Sequence, residues 1–174
     1  MEYSFCPRCG GSLTSRKLKA AEPERLVCTV CGFVFFLDPK VAAGTLFTID
    51  GKIPLLQRSI EPSYGKWVFP GGFVDRGEAV RDAAVRETRE EAHLEVRLVS
   101  LLNVYSYSGS PVILVVYAAE VIGGELEAGD ECLDVRLFAP EDIPWQELAF
   151  PSTREAVREY VEKFLPKAWS SGEE

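Results

Sequence analysis

Two copies of one short pattern, Cys6-Pro7-Arg8-Cys9-Gly10 and Cys28-Thr29-Val30-Cys31-Gly32, constrain the first forty residues more than any other feature of the chain. The stretch between them is polar, basic through Ser12–Lys19, and too short to bury a core of its own. Some cross-link must hold it. Four thiolates make a tetrahedral ligand set for Zn2+, and each Cys-x-x-Cys turn presents two sulfurs to one ion. Gly10 and Gly32, directly behind the second cysteine of each pair, ease the tight turn there. Cys6, Cys9, Cys28 and Cys31 are therefore expected to build a zinc ribbon over residues 1–38. A pair of disulfides, which a reducing compartment disfavours, or four unrelated thiols are the competing reading. Four protein ligands leave the ion no open position, so its role is structural. Cys132 stands apart, and the only histidine, His93, lies in another element, so no base partner is evident for it.

A net charge of −8 argues against a general nucleic-acid binder, which needs a basic surface. An acidic protein still handles anionic substrates where a divalent metal supplies positive charge. No apolar run is long enough to span a bilayer, and Met1–Phe5 lacks a basic start followed by an apolar stretch. A cytoplasmic location without a membrane partner is expected.

Pro39 marks a boundary, with a second domain expected over 39–168 and a disordered tail over 169–174. Val41–Ile49 and Lys52–Arg58 read as strands joined at Asp50-Gly51, a favoured two-residue hairpin turn. Pro54 places the second strand at an edge or a bulge. A helix is expected from Glu78 to Ala92, and strands over Val96–Tyr107, Pro111–Ile122 and Leu133–Phe138. Ser152 and Glu155 suggest a capping box opening a last helix that runs to about Phe164. This order predicts an α/β (α+β) architecture with helices packed on a mixed sheet.

The chemistry concentrates in the segment from Gly72 to Leu94. Glu87, Glu90 and Glu91 are spaced i, i+3 and i+4 and share one side of a helix. The same side carries Val80, Ala83 and Ala84 one to two turns earlier, which should pack on a sheet. Three close carboxylates repel one another unless a cation intervenes. Hard divalent ions with oxygen ligands suit this group. The Pro70-Gly71-Gly72 turn before the helix lets backbone approach a metal or phosphate without obstruction. A solvated charged helix, with Arg86 and Arg89 balancing the glutamates, is the competing reading.

The segment resembles the Nudix box, G-x5-E-x7-R-E-U-x-E-E-x-G-U with U a bulky apolar residue. Gly72, Glu78, Arg86, Glu87, Glu90, Glu91 and Leu94 fall on its fixed positions. Thr88 replaces the first apolar residue, and His93 replaces the glycine that favours the left-handed conformation at a helix end. The resemblance implies that Glu87, Glu90 and Glu91 coordinate Mg2+ or Mn2+ with help from a Gly71 or Gly72 carbonyl. It further implies that Arg86 orients the carboxylates and Glu78 braces the loop. One of the glutamates, or one from a later loop, would be the general base on the attacking water. Among Asp130, Glu131 and Asp134 we favour Glu131, with a solvated acidic turn as the alternative.

The whole chain is similar to zinc-ribbon Nudix proteins, which include NADH, ADP-ribose and FAD pyrophosphatases. The shared stretches are the cysteine pairs, Leu55-Leu56-Gln57-Arg58, Gly65-Lys66-Trp67, Arg136-Leu137-Phe138 and Glu141-Asp142-Ile143-Pro144. The Ser-Gln-Pro-Trp-Pro-Phe-Pro motif of the NADH group is missing. The matching stretch reads Leu101-Leu102-Asn103-Val104-Tyr105-Ser106-Tyr107, which favours ADP-ribose or FAD as substrate. Trp67 and Tyr105 are candidates to stack on a substrate ring, and Arg58 to meet a phosphate. For the aromatic residues, core packing is the competing role. A homodimer is the expected assembly. The alternative from a different class is a zinc-ribbon module binding nucleic acid or protein, on an inactive Nudix scaffold.

Overall fold

The computed structural model describes residues 3–165, so the tail expected over 169–174 lies outside the described residues. Contacts divide the chain between Pro39 and Lys40 into two units.

The first unit carries three short antiparallel strands, β1 (Leu13–Arg16), β2 (Arg25–Cys28) and β3 (Val34–Phe35), in the order β1-β2-β3. Little of it is buried apart from Cys6, Val27 and Cys28. That matches a unit with almost no apolar core to hold it.

The second unit contains β4 (Lys40–Leu46), β5 (Ile53–Arg58), β6 (Trp67–Val68), β7 (Gly71–Phe73), α1 (Val80–Ala92), β8 (Leu94–Ser106), β9 (Val112–Gly124), β10 (Cys132–Phe138) and α2 (Pro151–Phe164). β7-β4-β9-β8 form a mixed sheet in which β4 and β9 run parallel. β10-β5-β6 form a smaller antiparallel sheet.

The period-2 alternation of β9 explains the layers. Val116 and Ala118 face α2, joining Ala156, Val157, Tyr160 and Val161 in the largest core cluster. Tyr117 and Val115 face α1 and pack with Ala43, Ala83 and Ala84. The mixed sheet therefore lies between the two helices. Leu46, Ile53, Leu55, Val157 and Val161 are almost wholly buried, each contributing about 1.5–3 kcal/mol of apolar transfer.

Three local expectations are corrected. Asp50 and Gly51 do make the turn, with φ of 51° and 76° and paired Ile49–Lys52 backbone bonds. The strands on either side do not form a ladder: β4 pairs with β7 and β9, while β5 pairs with β6 and β10. Alternation cannot tell which sheet a strand joins. Second, α2 opens two residues early, with Pro151 at its first position and Phe150 in place of Ser152 as N-cap, and no side chain caps it. Proline's fixed φ suits that position better than a Ser152–Glu155 box. Third, α1 begins at Val80, because Glu78 closes a turn through its N–H to the Asp75 carbonyl, 3.0 Å. Pro54 sits in β5 opposite Leu137, whereas β6 reaches only Leu56 and Gln57, so proline's missing N–H lies on an unpaired flank.

Candidate active site

α1 presents its acidic side where the Gly71-Gly72 strand passes. Gly44 and Gly71 are register partners, and a Cβ on Gly71 would lie 2.8 Å from the Gly44 Cα, so only glycine lets the backbones meet this closely. A Cβ on Gly72 would fall 2.5 Å from the Glu87 carboxylate. The glycines thus make room for the acids.

Arg86 ties that acidic side together. Its Nε and Nη2 donate to the two oxygens of Glu78 at 2.8 and 2.9 Å, and Nη1 donates to Glu87 at 2.8 Å and Glu90 at 2.9 Å. Nη2 also reaches the Phe73 carbonyl at 3.1 Å. One planar guanidinium therefore fixes three carboxylates and the β7 backbone, which an ammonium group cannot do. The Arg86 fork and the Asp75 amide bring the Glu78 carboxyl down to about 2.

The three helix glutamates differ in environment. The Glu87 side chain is 13% exposed and that of Glu90 51%. Burial pushes Glu87 upward against the opposing pull of Arg86. Glu91 is raised to about 7, chiefly by burial, with the Glu87 and Glu131 charges adding to it. The Gly71 N–H, donating at 2.8 Å, works the other way. Glu131, on a separate loop, lies within electrostatic range of both Glu87 and Glu91. Glu131 is held by the Ser59 N–H donating to its carbonyl at 3.1 Å. A set of carboxylate oxygens that burial and mutual repulsion push toward protonation is a donor set suited to a hard divalent cation.

Arg58 lies within electrostatic range of Glu91. Its Nε donates to the Pro62 carbonyl at 3.0 Å, and its guanidinium stands 5.2 Å from the Phe150 ring centre. Trp67 is placed in the core, 4% exposed, edge-on to Phe138 and under Arg136. Tyr105 is also in that core, and its hydroxyl donates to Glu159 of α2 at 2.7 Å.

Both departures from the box pattern have a structural answer. Thr88 is fully buried and donates to the Ala84 carbonyl at 2.7 Å, so the 2.6 Å contact with Thr45 takes its proton from Thr45. Thr45 also donates its N–H to Pro70 at 3.0 Å, joining α1 to the turn before Gly71. Thr45 is not among the residues the sequence singled out. A polar residue at an apolar position of α1 was the signal that a polar partner lay across from it. His93 takes the left-handed conformation, φ 53° and ψ 27°, and ends α1 as the glycine would.

In the first unit the cysteines form two matching knuckles. Gly10 donates to the Cys6 carbonyl and Gly32 to that of Cys28, at 2.9 and 3.2 Å. The four Sγ atoms lie within 4.8 Å of one another, with separations of 3.4, 3.5 and 3.8 Å among them. Zn–S bonds of about 2.3 Å give a tetrahedron with edges of about 3.8 Å, so the cluster fits that ion. The N–H groups of Cys31 and Val30 help bring the Cys28 thiol down to about 6, toward the thiolate a metal needs.

Comparison with known proteins agrees with this geometry. A family model described as NUDIX domain matches residues 38–160, and one described as Nudix N-terminal matches residues 4–36. An ADP-ribose pyrophosphatase of Methanocaldococcus jannaschii is 38% identical over 130 residues, covering 72% of this chain and 75% of that protein. A Pseudomonas putida protein named NAD-capped RNA hydrolase NudC is 26% identical over 168 residues, covering 95% of this chain. The chain spans only 57% of that relative's length. A crystal structure of a NUDIX hydrolase from Nitrosomonas europaea superposes with a TM-score of 0.88 at 32% identity, over 94% of this chain and 93% of that one. Carboxylate helix, glycine turn and paired cysteine knuckles all occur in a chain that belongs to the Nudix hydrolase family and carries its N-terminal zinc-ribbon unit.

Proposed function

We propose that the chain hydrolyses the pyrophosphate of a nucleoside diphosphate linked to another group, with ADP-ribose or FAD preferred over NADH. In this reading Glu87, Glu90, Glu91 and the Gly71 backbone hold Mg2+ or Mn2+, and Cys6, Cys9, Cys28 and Cys31 hold structural Zn2+. The observation that carries it is the acidic side of α1, where Arg86 holds Glu78, Glu87 and Glu90 together, Gly71 donates to Glu91, and Gly72 is cleared for Glu87. When bound, the divalent ion neutralises the pyrophosphate and lowers the pKa of the attacking water.

The chain's own residues do the rest. Arg86 holds Glu78, Glu87 and Glu90 in one orientation, so the carboxylates need no reorganisation during the reaction. Glu131 stands on a separate loop and is assigned to take the proton from water as its oxygen bonds to phosphorus and the bridging P–O bond breaks. Arg58 is assigned to a substrate phosphate. Trp67 and Tyr105, packed in the core, are left out of the proposed substrate contacts.

Two facts favour ADP-ribose or FAD. Leu102 and Tyr105 occupy the core where the NADH group carries its motif, and the relative at 38% identity is named an ADP-ribose pyrophosphatase. A cytoplasmic setting is part of the proposal, and among the described residues no helix is long and apolar enough to cross a membrane. A homodimer completes the proposal; β8, the outer strand of its sheet, exposes Val99 and Leu101, and sedimentation measures the assembly. An inactive scaffold below a binding ribbon gains no support from an acidic set this complete.

The test is a panel of ADP-ribose, FAD, NADH and nucleoside triphosphates with Mg2+ and Mn2+, reading phosphate-monoester products. ADP-ribose or FAD should turn over fastest. Hydrolysis of none of them would refute the reading.

A further inference from the structure

The segment between β9 and β10 meets α1 at its C-terminal end. The last carbonyls of a helix lack partners within it and must find donors elsewhere. Here the Gly129 N–H donates to the Glu91 carbonyl at 2.9 Å, and the Glu127 N–H donates to that of Ala92 at 3.3 Å. Gly129 is buried while Ala128 and Asp130 beside it are exposed. A Cβ at this position would fall on the Glu90 carbonyl oxygen and lie 2.9 Å from the Glu91 Cα. The backbone at Gly129 is not left-handed, so the demand for glycine is one of space. Immediately after it, the Cys132 N–H donates to the Gly129 carbonyl at 3.0 Å, and Ser59 fixes the Glu131 carbonyl from the β5 side. Glu131 is thus suspended between two backbone anchors, one on α1 and one on β5.

We infer that Gly129 is a positioning residue: it seats the 125–131 loop on the end of α1 and so fixes where Glu131 stands relative to the carboxylates of α1. The same bonds that cap the helix set the distance between two parts of the site. A side chain at 129 lifts the loop from α1 and carries Glu131 away from the other carboxylates. The inference rests on the proposed cation site.

The experiment is a double-mutant cycle on the full chain with Gly129→Ala, Glu131→Gln and both together. Mn2+ affinity is read by electron paramagnetic resonance, and kcat and KM are read alongside. Each single change should weaken Mn2+ binding about tenfold, and the pair should bind no more weakly than Glu131→Gln alone. kcat should fall in the same pattern with KM little changed. Multiplying losses, or wild-type Mn2+ affinity in either single variant, overturn the inference. If the wild-type chain hydrolyses no pyrophosphate, the proposed function fails while the Mn2+ cycle still decides Gly129. Should Gly129→Ala not fold, inserting one glycine between Asp130 and Glu131 separates the carboxylate from its anchor. The same outcomes then apply.

Discussion

Burial of the Glu91 carboxyl sets its ionisation against folding. Its folded-state pKa of about 7 lies above the ordinary 4.5, so the folded protein holds this proton more tightly than the unfolded chain does. That contribution to stability is fully present below pH 4.5 and lost as pH rises through 7. The metal-free protein should lose up to about 3 kcal/mol across that window. A divalent cation replaces the proton, so the stabilisation by Mg2+ should grow with pH. Thermal unfolding from pH 5 to 8, with and without Mg2+, checks this; a gap that does not change with pH would contradict it. Glu78 works with the opposite sign, because Arg86 holds it at about 2 and its contribution is lost only as pH falls toward that value. Arg86→Ala leaves three carboxylates without their shared partner and should cost about 2–3 kcal/mol in urea unfolding. At this scale the sequence is informative about acids and weak about their partners. The i, i+3, i+4 spacing exposes Glu87, Glu90 and Glu91 directly, whereas for Trp67 and Tyr105 the sequence favours core packing over ring stacking without deciding it, and both are buried.

At the scale of elements, α1 is held against β4 by one buried polar contact, Thr45 to Thr88. Thr88→Val alone strands the Thr45 hydroxyl in an apolar seam and should cost about 1–3 kcal/mol. The Thr45→Val and Thr88→Val pair together should recover most of that loss, since both partners are then apolar and similar in shape. Denaturation of the four forms measures the coupling, and additive losses would show that the contact carries no energy. Helix faces were readable from the sequence because Ala83 and Ala84 repeat with the carboxylates at helical spacing. Helix starts were less so: Ser152 and Glu155 look like a cap, but Pro151 competes for the same turn and its fixed φ prevails.

For the whole molecule, strand existence was legible and strand partnership was not. Asp50-Gly51 signals a reversal, but the chain around it feeds two different sheets, which depends on pairing with β9 and β10 far along the sequence. The loop that brings Glu131 to α1 is likewise set by long-range backbone bonds with no sequence period. The cysteine unit is the opposite case: its short spacings specify the sulfur cluster locally. One Zn2+ per chain is expected by atomic absorption, and Cys28→Ser should abolish it. Hydrolysis by this chain depends above all on the carboxylates of α1. The most direct measurement is the turnover of ADP-ribose to AMP and ribose 5-phosphate with Mg2+, in the wild-type chain and in Glu90→Gln. We predict a fall in kcat of at least about a hundredfold, or about 2.7 kcal/mol of transition-state stabilisation. Unchanged turnover in the variant would contradict metal-assisted hydrolysis at this helix.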